Sequence, residues 1–323
     1  MREVKIAGMG SYVPEKIVTN DDLSKIVDTN DEWISSRTGI KERRISEGEN
    51  TSDLATKAAL KALEKANISP EDLDLIVVST SSPDSLSPST AVYVQRNIGA
   101  FNAACFDISA ACSGFIYALN VGSQFIKSGQ SKNALIIGAE VLSKITDWSD
   151  RNTCVLFGDG AGAVVLLPSE EKGVSSIFCG ADGRKAEFLN INCVPVKNIL
   201  VTPEKIDDIA IRMDGREVFK FATNVMVEAI GKVLSDANLT IDDIKYIVPH
   251  QANYRIIDFA ARKLGLPEEK FFINLQKYGN TSAASIPLAL DEMAEGGSIK
   301  KGDKLILVAF GAGFTWSACL VEY

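Results

Sequence analysis

One histidine, His250, stands in 323 residues, so a zinc site built on several imidazoles and any mechanism needing two of them are excluded at once. Positive charge is also short. Lys and Arg number 34 against 42 Asp and Glu, a net charge of −8, which argues against nucleic acid or an anionic membrane as the main partner. An anionic ligand would have to be met by a local basic cluster. No run approaches the ~20 unbroken apolar residues of a membrane span; the longest candidate, Val155 to Leu167, is broken by Asp159. The start, Met1-Arg2-Glu3-Val4-Lys5, leads into a strand-like run without a secretory apolar core. The six cysteines are scattered with no C-x-x-C pair, and read as free, mostly buried thiols. Together these absences predict a soluble, cytoplasmic, globular chain. Its 46% hydrophobic content is ample for two packed halves.

What is present is partly written twice. Lys61–Val78 lies over Lys232–Pro249 at an offset of 171, with seven of eighteen columns identical. Each copy reads as a helix, an Asn-[Ile/Leu]-[Ser/Thr] turn, an acidic segment and a buried strand. Gly129–Ala139 falls on Gly302–Ala312 at an offset of 173, and Phe106-Asp107-Ile108 echoes Ile273-Asn274-Leu275. Two α/β halves related by a pseudo-twofold, 1–172 and 173–323, are the expected organisation. Continuous apolar strands such as Ala134–Ile137 and Leu305–Ala309 predict sheets covered on both faces.

Three segments carry residues suited to chemistry. Cys112, in Ala110-Ala-Cys-Ser-Gly-Phe115, follows the strand Ala104–Ile108 and precedes a helical rhythm at Phe115, Leu119, Gly122 and Ile126. A cysteine at a helix N-terminus is expected to have a lowered pKa, whereas the other five fit a structural role. His250 follows the strand Tyr246–Val248 at the start of a helix, where α/β proteins place active groups. Asn280, in Tyr278-Gly-Asn-Thr-Ser-Ala-Ala-Ser285, occupies another strand-to-helix turn, where asparagine is otherwise a common cap. The repeat makes the Cys112 and Asn280 loops symmetry mates that should meet between the halves. Gly8-Met-Gly10, Gly158-Asp-Gly-Ala-Gly162 and Gly311-Ala-Gly313 lack the full dinucleotide fingerprint and read as tight turns, the last able to offer N–H groups to an oxyanion.

The motifs ACSGF at Cys112, HQANYRI at His250 and YGNTSAAS at Asn280 resemble the Cys-His-Asn signature of β-ketoacyl-acyl carrier protein synthase III, in the thiolase superfamily. The resemblance runs from Ile6 to Trp316. It implies a thiolase-like, five-layered αβαβα fold and a homodimer. It also implies acyl transfer from acyl-CoA to Cys112, then decarboxylative condensation with malonyl-acyl carrier protein, initiating type II fatty acid synthesis. Coenzyme A is then a substrate, and neither cofactor nor metal is expected. Chain-elongating relatives use Cys-His-His, which this chain does not provide.

The resemblance further implies an oxyanion hole from the backbone of Cys112 and Ala312, where relatives commonly have glycine, a change compatible with a negative φ at Ala312. It assigns coenzyme A to Trp33, Arg37, Arg151, Gly215 and Asn253, and carrier-protein docking to Lys220, Gln251, Ala252, Asn253, Tyr254 and Arg255. Ser87 stands where several relatives place a phenylalanine that reaches across the dimer into the acyl pocket, which implies room for longer or branched primers. Three alternatives remain at this point. A related Cys-His-Asn enzyme of polyketide metabolism shares the motifs. A papain-like hydrolase shares the order, with gaps of 250 − 112 = 138 and 280 − 250 = 30, but not its local cysteine motif. A non-catalytic binding module would be indifferent to Cys112.

Overall fold

The computed structural model describes residues 3–193, 195–202 and 209–323. Nine strands form two large sheets: β1 (Glu3–Tyr12), β2 (Leu75–Ser79), β3 (Ala104–Ile108), β4 (Ala134–Glu140), β5 (Gly160–Ser169), β6 (Val174–Ala181), β7 (Tyr246–Pro249), β8 (Lys304–Gly311) and β9 (Thr315–Glu322). The first sheet runs β1-β5-β4-β2-β3 and the second β6-β9-β8-β7. An isolated parallel bridge from Ile247 to Phe271 continues the second sheet on its β7 side. Strand for strand the two orders are the same.

Six helices fill the spaces: α1 (Thr51–Ala66), α2 (Thr90–Ile98), α3 (Gly114–Lys127), α4 (Gly215–Ala237), α5 (Tyr254–Leu264) and α6 (Ser285–Glu295). Because both faces of the central strands are buried, alternate side chains enter different layers. Leu75 and Val77 of β2 join Phe115, Leu119, Ile286, Leu290, Leu305 and Leu307 in a middle layer made by α3 and α6. Ile76 and Val78 pack outward against Leu54, Ala58 and Val94 of α1 and α2. On the other side, Ile247, Ile306 and Val308 receive Ala222, Met226 and Ile257 of α4 and α5. The result is the expected αβαβα stack. No described helix is long and apolar enough to cross a membrane.

The repeated asparagine has a backbone cause. Asn67 and Asn238 close α1 and α4 in the left-handed region, each with φ near 53°, a position asparagine tolerates better than other side chains. Two sequence expectations need correction. Register places Ile76 beside Leu135 and Ile247 beside Ile306, so β4 and β8 correspond at an offset of 171 rather than 173. A two-residue slip keeps every side chain on its own face, which is why the sequence pattern tolerates either offset. Gly8, Gly10, Gly160 and Gly162 lie within β1 and β5, not in turns. A Cβ on Gly8 or Gly10 would come within 2.5 Å of the α1 backbone, so glycine here permits close helix–sheet approach.

Candidate active site

Each half presents the same elbow. Ala111–Ser113 is one 3₁₀ turn leading into α3, and Ser282–Ala284 is another leading into α6. Both begin with a non-glycine residue at φ 47°, Ala111 and Ser282, again 171 apart. Gly311 packs on the first elbow, where an added Cβ would sit 2.7 Å from Cys112 N; Gly138 packs on the second, where it would sit 2.2 Å from Ala283 O. Each elbow is thus seated against a strand of the opposite half, and the Cys112 and Asn280 loops meet at the junction as the repeat predicts.

Cys112, His250 and Asn280 line one cavity of about 800 Å³ together with Ser282, Gly311 and Ala312. The Asn280 loop is fixed by its backbone. Asn280 donates its N–H to Leu156 O at 2.8 Å and accepts from Gly158 N at 3.0 Å. Gly279 has φ 63° and no space for a Cβ against Leu156 O. Buried Arg43 holds the facing segment by donating to Val155 O at 2.7 Å, and also donates to Asn20 Oδ1 and Val18 O. Asn280 Oδ1 accepts the Ser282 N–H at 2.8 Å, a cap-like bond that leaves the Nδ2 donors as the free end of the carboxamide.

His250 is 1% exposed. Its backbone N–H donates to Val308 O at 2.8 Å, and its ring meets Phe310 edge-on at 5.4 Å. Burial pushes the imidazole down to about 3, so the ring is neutral. Nδ1 lies 2.8 Å from Ser285 Oγ, a hydroxyl whose oxygen also receives the Gln251 N–H at 3.4 Å. With that backbone donor on its oxygen, Ser285 keeps its own hydrogen available to Nδ1, and in that tautomer the ring proton is on Nε2. Ser285 was not singled out from the sequence; its position one turn after Asn280, at the start of a buried helix, is the only signal it carries.

The expectation of a low Cys112 pKa is overturned. Burial pushes the thiol up to about 12, a hydrogen bond from Ser282 pulls in the opposite direction, and the Glu140 carboxylate adds to the rise. Desolvation of the anion is the largest contribution to that rise. Ala312 is not among the left-handed residues, so its methyl group is compatible with the loop. Thr315 Oγ1 lies 3.0 Å from Ala110 O and 3.1 Å from Ala312 O, tying the cysteine elbow to the strand end that carries Ala312.

At the cavity mouth Trp33 has Arg37 over its ring at 4.5 Å and Arg151 at 5.2 Å, both within cation–π reach. Arg151 is also held by Asp28 at 3.2 Å. Gly215 and Asn253 line the cavity, Asn253 while capping α5 through its oxygen to Arg255 N. Lys220 and Arg255 are exposed on α4 and α5. Gln251 is a correction: it is 1% exposed and its amide bridges Pro249 O, Phe272 O and Asn274 N, so it braces the loop and does not face a partner. Ser87 is exposed and does not line the cavity of its own chain. Of the cysteines, Cys154 and Cys319 are buried, while Cys193 is exposed.

Comparisons with known proteins agree with this geometry. Residues 106–183 match the family described as 3-oxoacyl-[acyl-carrier-protein (ACP)] synthase III, and residues 234–323 match its C-terminal part. A beta-ketoacyl-[acyl-carrier-protein] synthase III of Clostridium acetobutylicum is 60% identical over 323 residues, covering 100% of this chain and 99% of that protein. Another from Clostridium novyi is 59% identical, covering 100% of both. The crystal structure of 3-oxoacyl-[acyl-carrier-protein] synthase III from Aquifex aeolicus VF5 superposes with a TM-score of 0.92 at 50% identity, covering 99% of this chain and 100% of that one.

Proposed function

From the premise that the chain belongs to the β-ketoacyl-[acyl-carrier-protein] synthase III family of the thiolase superfamily, we propose how its residues divide the work. The family's activity is acyl transfer and condensation in fatty acid synthesis. In the first step Cys112 Sγ attacks the thioester carbonyl of an acyl-CoA. The oxyanion of the tetrahedral intermediate is received by the backbone N–H groups of Cys112 and Ala312. Coenzyme A leaves, and malonyl-acyl carrier protein takes its place.

Loss of CO2 from the malonyl group leaves an enolate. His250 Nε2–H and Asn280 Nδ2–H donate to its oxygen while its carbon attacks the acyl-Cys112 carbonyl. The products are a 3-oxoacyl-acyl carrier protein, coenzyme A and CO2. One observation carries this assignment: in a single cavity with Cys112, the imidazole has its Nδ1 engaged and the carboxamide its Oδ1, so both turn neutral donors to the reacting oxygen. Two such donors hold an enolate without a metal or cofactor.

We assign the coenzyme A nucleotide to Trp33, Arg37 and Arg151, and its pantetheine arm to Gly215 and Asn253. Lys220, Tyr254 and Arg255 are assigned to an acidic carrier protein. The protein is taken as a cytoplasmic homodimer of chains that each consist of halves 1–172 and 173–323, a division supported by the matching strand orders. Ser87, exposed beside Leu86, then bears on the partner's acyl pocket, and its small side chain leaves room for primers longer or more branched than acetyl.

Intact-mass spectrometry after incubation with acetyl-, isobutyryl- and hexanoyl-CoA tests both points. The expected result is one acyl adduct, absent in Cys112→Ser, with the larger primers accepted. An adduct that survives in Cys112→Ser refutes the nucleophile. Strict preference for acetyl-CoA refutes the pocket assignment. The same panel separates this reading from a polyketide-priming role like that of the R1128 priming β-ketosynthase, a structure 36% identical with TM-score 0.93.

A further inference from the structure

Arg43 is the largest fully buried side chain of the protein, and no step of the proposed reaction uses it. It is 0% exposed, stands in the short strand Glu42–Arg44 and does not line the cavity. Burial pushes its guanidinium down to about 10, which leaves it charged at neutral pH. Among the described residues its hydrogen-bond partners are neutral oxygens only. Nη1 donates to Val18 O at 3.2 Å and to Asn20 Oδ1 at 2.9 Å, Nη2 donates to Val155 O at 2.7 Å, and Nε has no partner. One planar group thus spans two distant pieces of chain.

Those pieces bear on Asn280. Phe157 and Asn280 form a parallel bridge, closed by the Asn280 N–H to Leu156 O at 2.8 Å and the Gly158 N–H to Asn280 O at 3.0 Å. Val155, held by Arg43, therefore begins the segment that grips the Asn280 backbone. The stem of Arg43 packs at the same place: a Cβ on Gly158 would sit 3.1 Å from Arg43 Cβ, and one on Gly279 3.3 Å. Its neighbours bond to both segments, Lys41 N–H to Gln276 O at 3.1 Å and Asp159 N–H to Arg44 O at 2.8 Å. The far end is fixed as well. Asn20 is 1% exposed and its Nδ2 donates to Ile40 O and Asp31 Oδ1, each at 2.8 Å, which turns Oδ1 toward Arg43. The Asn280 loop rests on this floor. Because Ser282 N–H fixes Asn280 Oδ1 within the loop, where the loop lies decides where Nδ2 points.

We infer that Arg43 is a positioning residue for condensation: by holding Val155 O it sets the segment that aims Asn280 Nδ2–H at the enolate oxygen. This rests on the proposed role of Asn280 and adds to it what aligns the donor. Arg43 lies outside the cavity and acts through backbone alone. Acylation uses Cys112 and the N–H groups of Cys112 and Ala312, and does not pass through the carboxamide. The two half-reactions therefore part when Arg43 is changed.

The test is a double-mutant cycle on both half-reactions, with wild type, Arg43→Lys, Asn280→Ala and the double variant. A lysine ammonium keeps the charge but is a single point, and cannot span Val18, Asn20 and Val155 as the planar guanidinium does. Condensation is followed by rapid quench on enzyme already acylated at Cys112, so molecules that fail to fold do not contribute. Arg43→Lys is expected to condense at least about tenfold more slowly, with acylation by acetyl-CoA within about twofold of wild type. In the Asn280→Ala background the same substitution is expected to cost less than about twofold, because no donor is left to aim. Equal slowing of both half-reactions, wild-type condensation in Arg43→Lys, or its full loss added to that of Asn280→Ala each overturns the inference. So does an Arg43→Lys protein that takes up no acyl group, since Arg43 then serves the fold alone. If Asn280→Ala condenses as fast as wild type, it is the role of Asn280 that fails, and the inference falls with it.

Discussion

The neutrality of His250 has a thermodynamic consequence that can be measured without substrate. In the folded chain burial holds the imidazole near 3, whereas in the unfolded chain it titrates near 6.5. The unfolded state therefore binds a proton that the native state refuses, and stability is lost as pH falls below 6.5 toward 3. At pH 5 the gap is 1.5 units from the unfolded value, which at 1.36 kcal/mol per unit is about 2 kcal/mol, or about thirtyfold in the unfolding equilibrium. No other imidazole titrates, because the chain has one histidine.

Buried carboxyl groups such as Glu140, Asp107 and Asp159, each raised by desolvation, titrate with the opposite sign but are common to wild type and a His250→Gln variant. Guanidinium unfolding of both proteins at one concentration, at pH 8 and pH 5, isolates the histidine. Wild type is expected to lose about 2 kcal/mol more than His250→Gln between the two pH values. Parallel losses would refute a neutral, desolvated His250 and with it the supply of a neutral Nε2–H donor.

Further expectations concern the two elbows and their support. Asn280→Ala should lower the condensation rate on pre-acylated enzyme by about 10²- to 10³-fold, as loss of one oxyanion donor does, with Cys112 acylation by mass spectrometry intact. Gly311→Ala should slow acylation by at least about tenfold by driving a methyl group against Cys112 N. Gly138→Ala, its counterpart against Ala283 O, should fall harder on condensation than on acylation; rapid-quench rates for each half-reaction show whether the two effects separate. Arg43→Met leaves Val155 O and Asn20 Oδ1 without their buried donor and should destabilise by about 3 kcal/mol in guanidinium unfolding.

Cys112 and His250 were legible because each follows a strand and precedes a helix, which leaves local patterns; Asn280, expected in a strand-to-helix turn, instead follows the short helix Leu275–Tyr278 before the 3₁₀ turn at Ser282. The layered fold was legible because helix, turn and strand recur as a unit, down to the left-handed asparagines 67 and 238. Sheet order was not, since pairing of β1 with β5 across more than a hundred residues has no local signature. The Cys112 thiol escaped the same way: the helix terminus is visible in sequence, but the desolvation that raises the thiol exists only once the halves have closed. Gln251 illustrates the limit at single-residue scale. In the polar run His250-Gln-Ala-Asn253 nothing local says that Gln251 turns inward.

Because Gly311 of one half cradles the cysteine elbow and Gly138 of the other cradles the asparagine elbow, neither half owns a finished reaction centre. Cutting the chain between Ser169 and Val174 would give two fragments, each carrying one reactive loop and the bed for the other's. Complementation on mixing, restoring acyl uptake that both pieces lack alone, is the behaviour such reciprocal seating dictates.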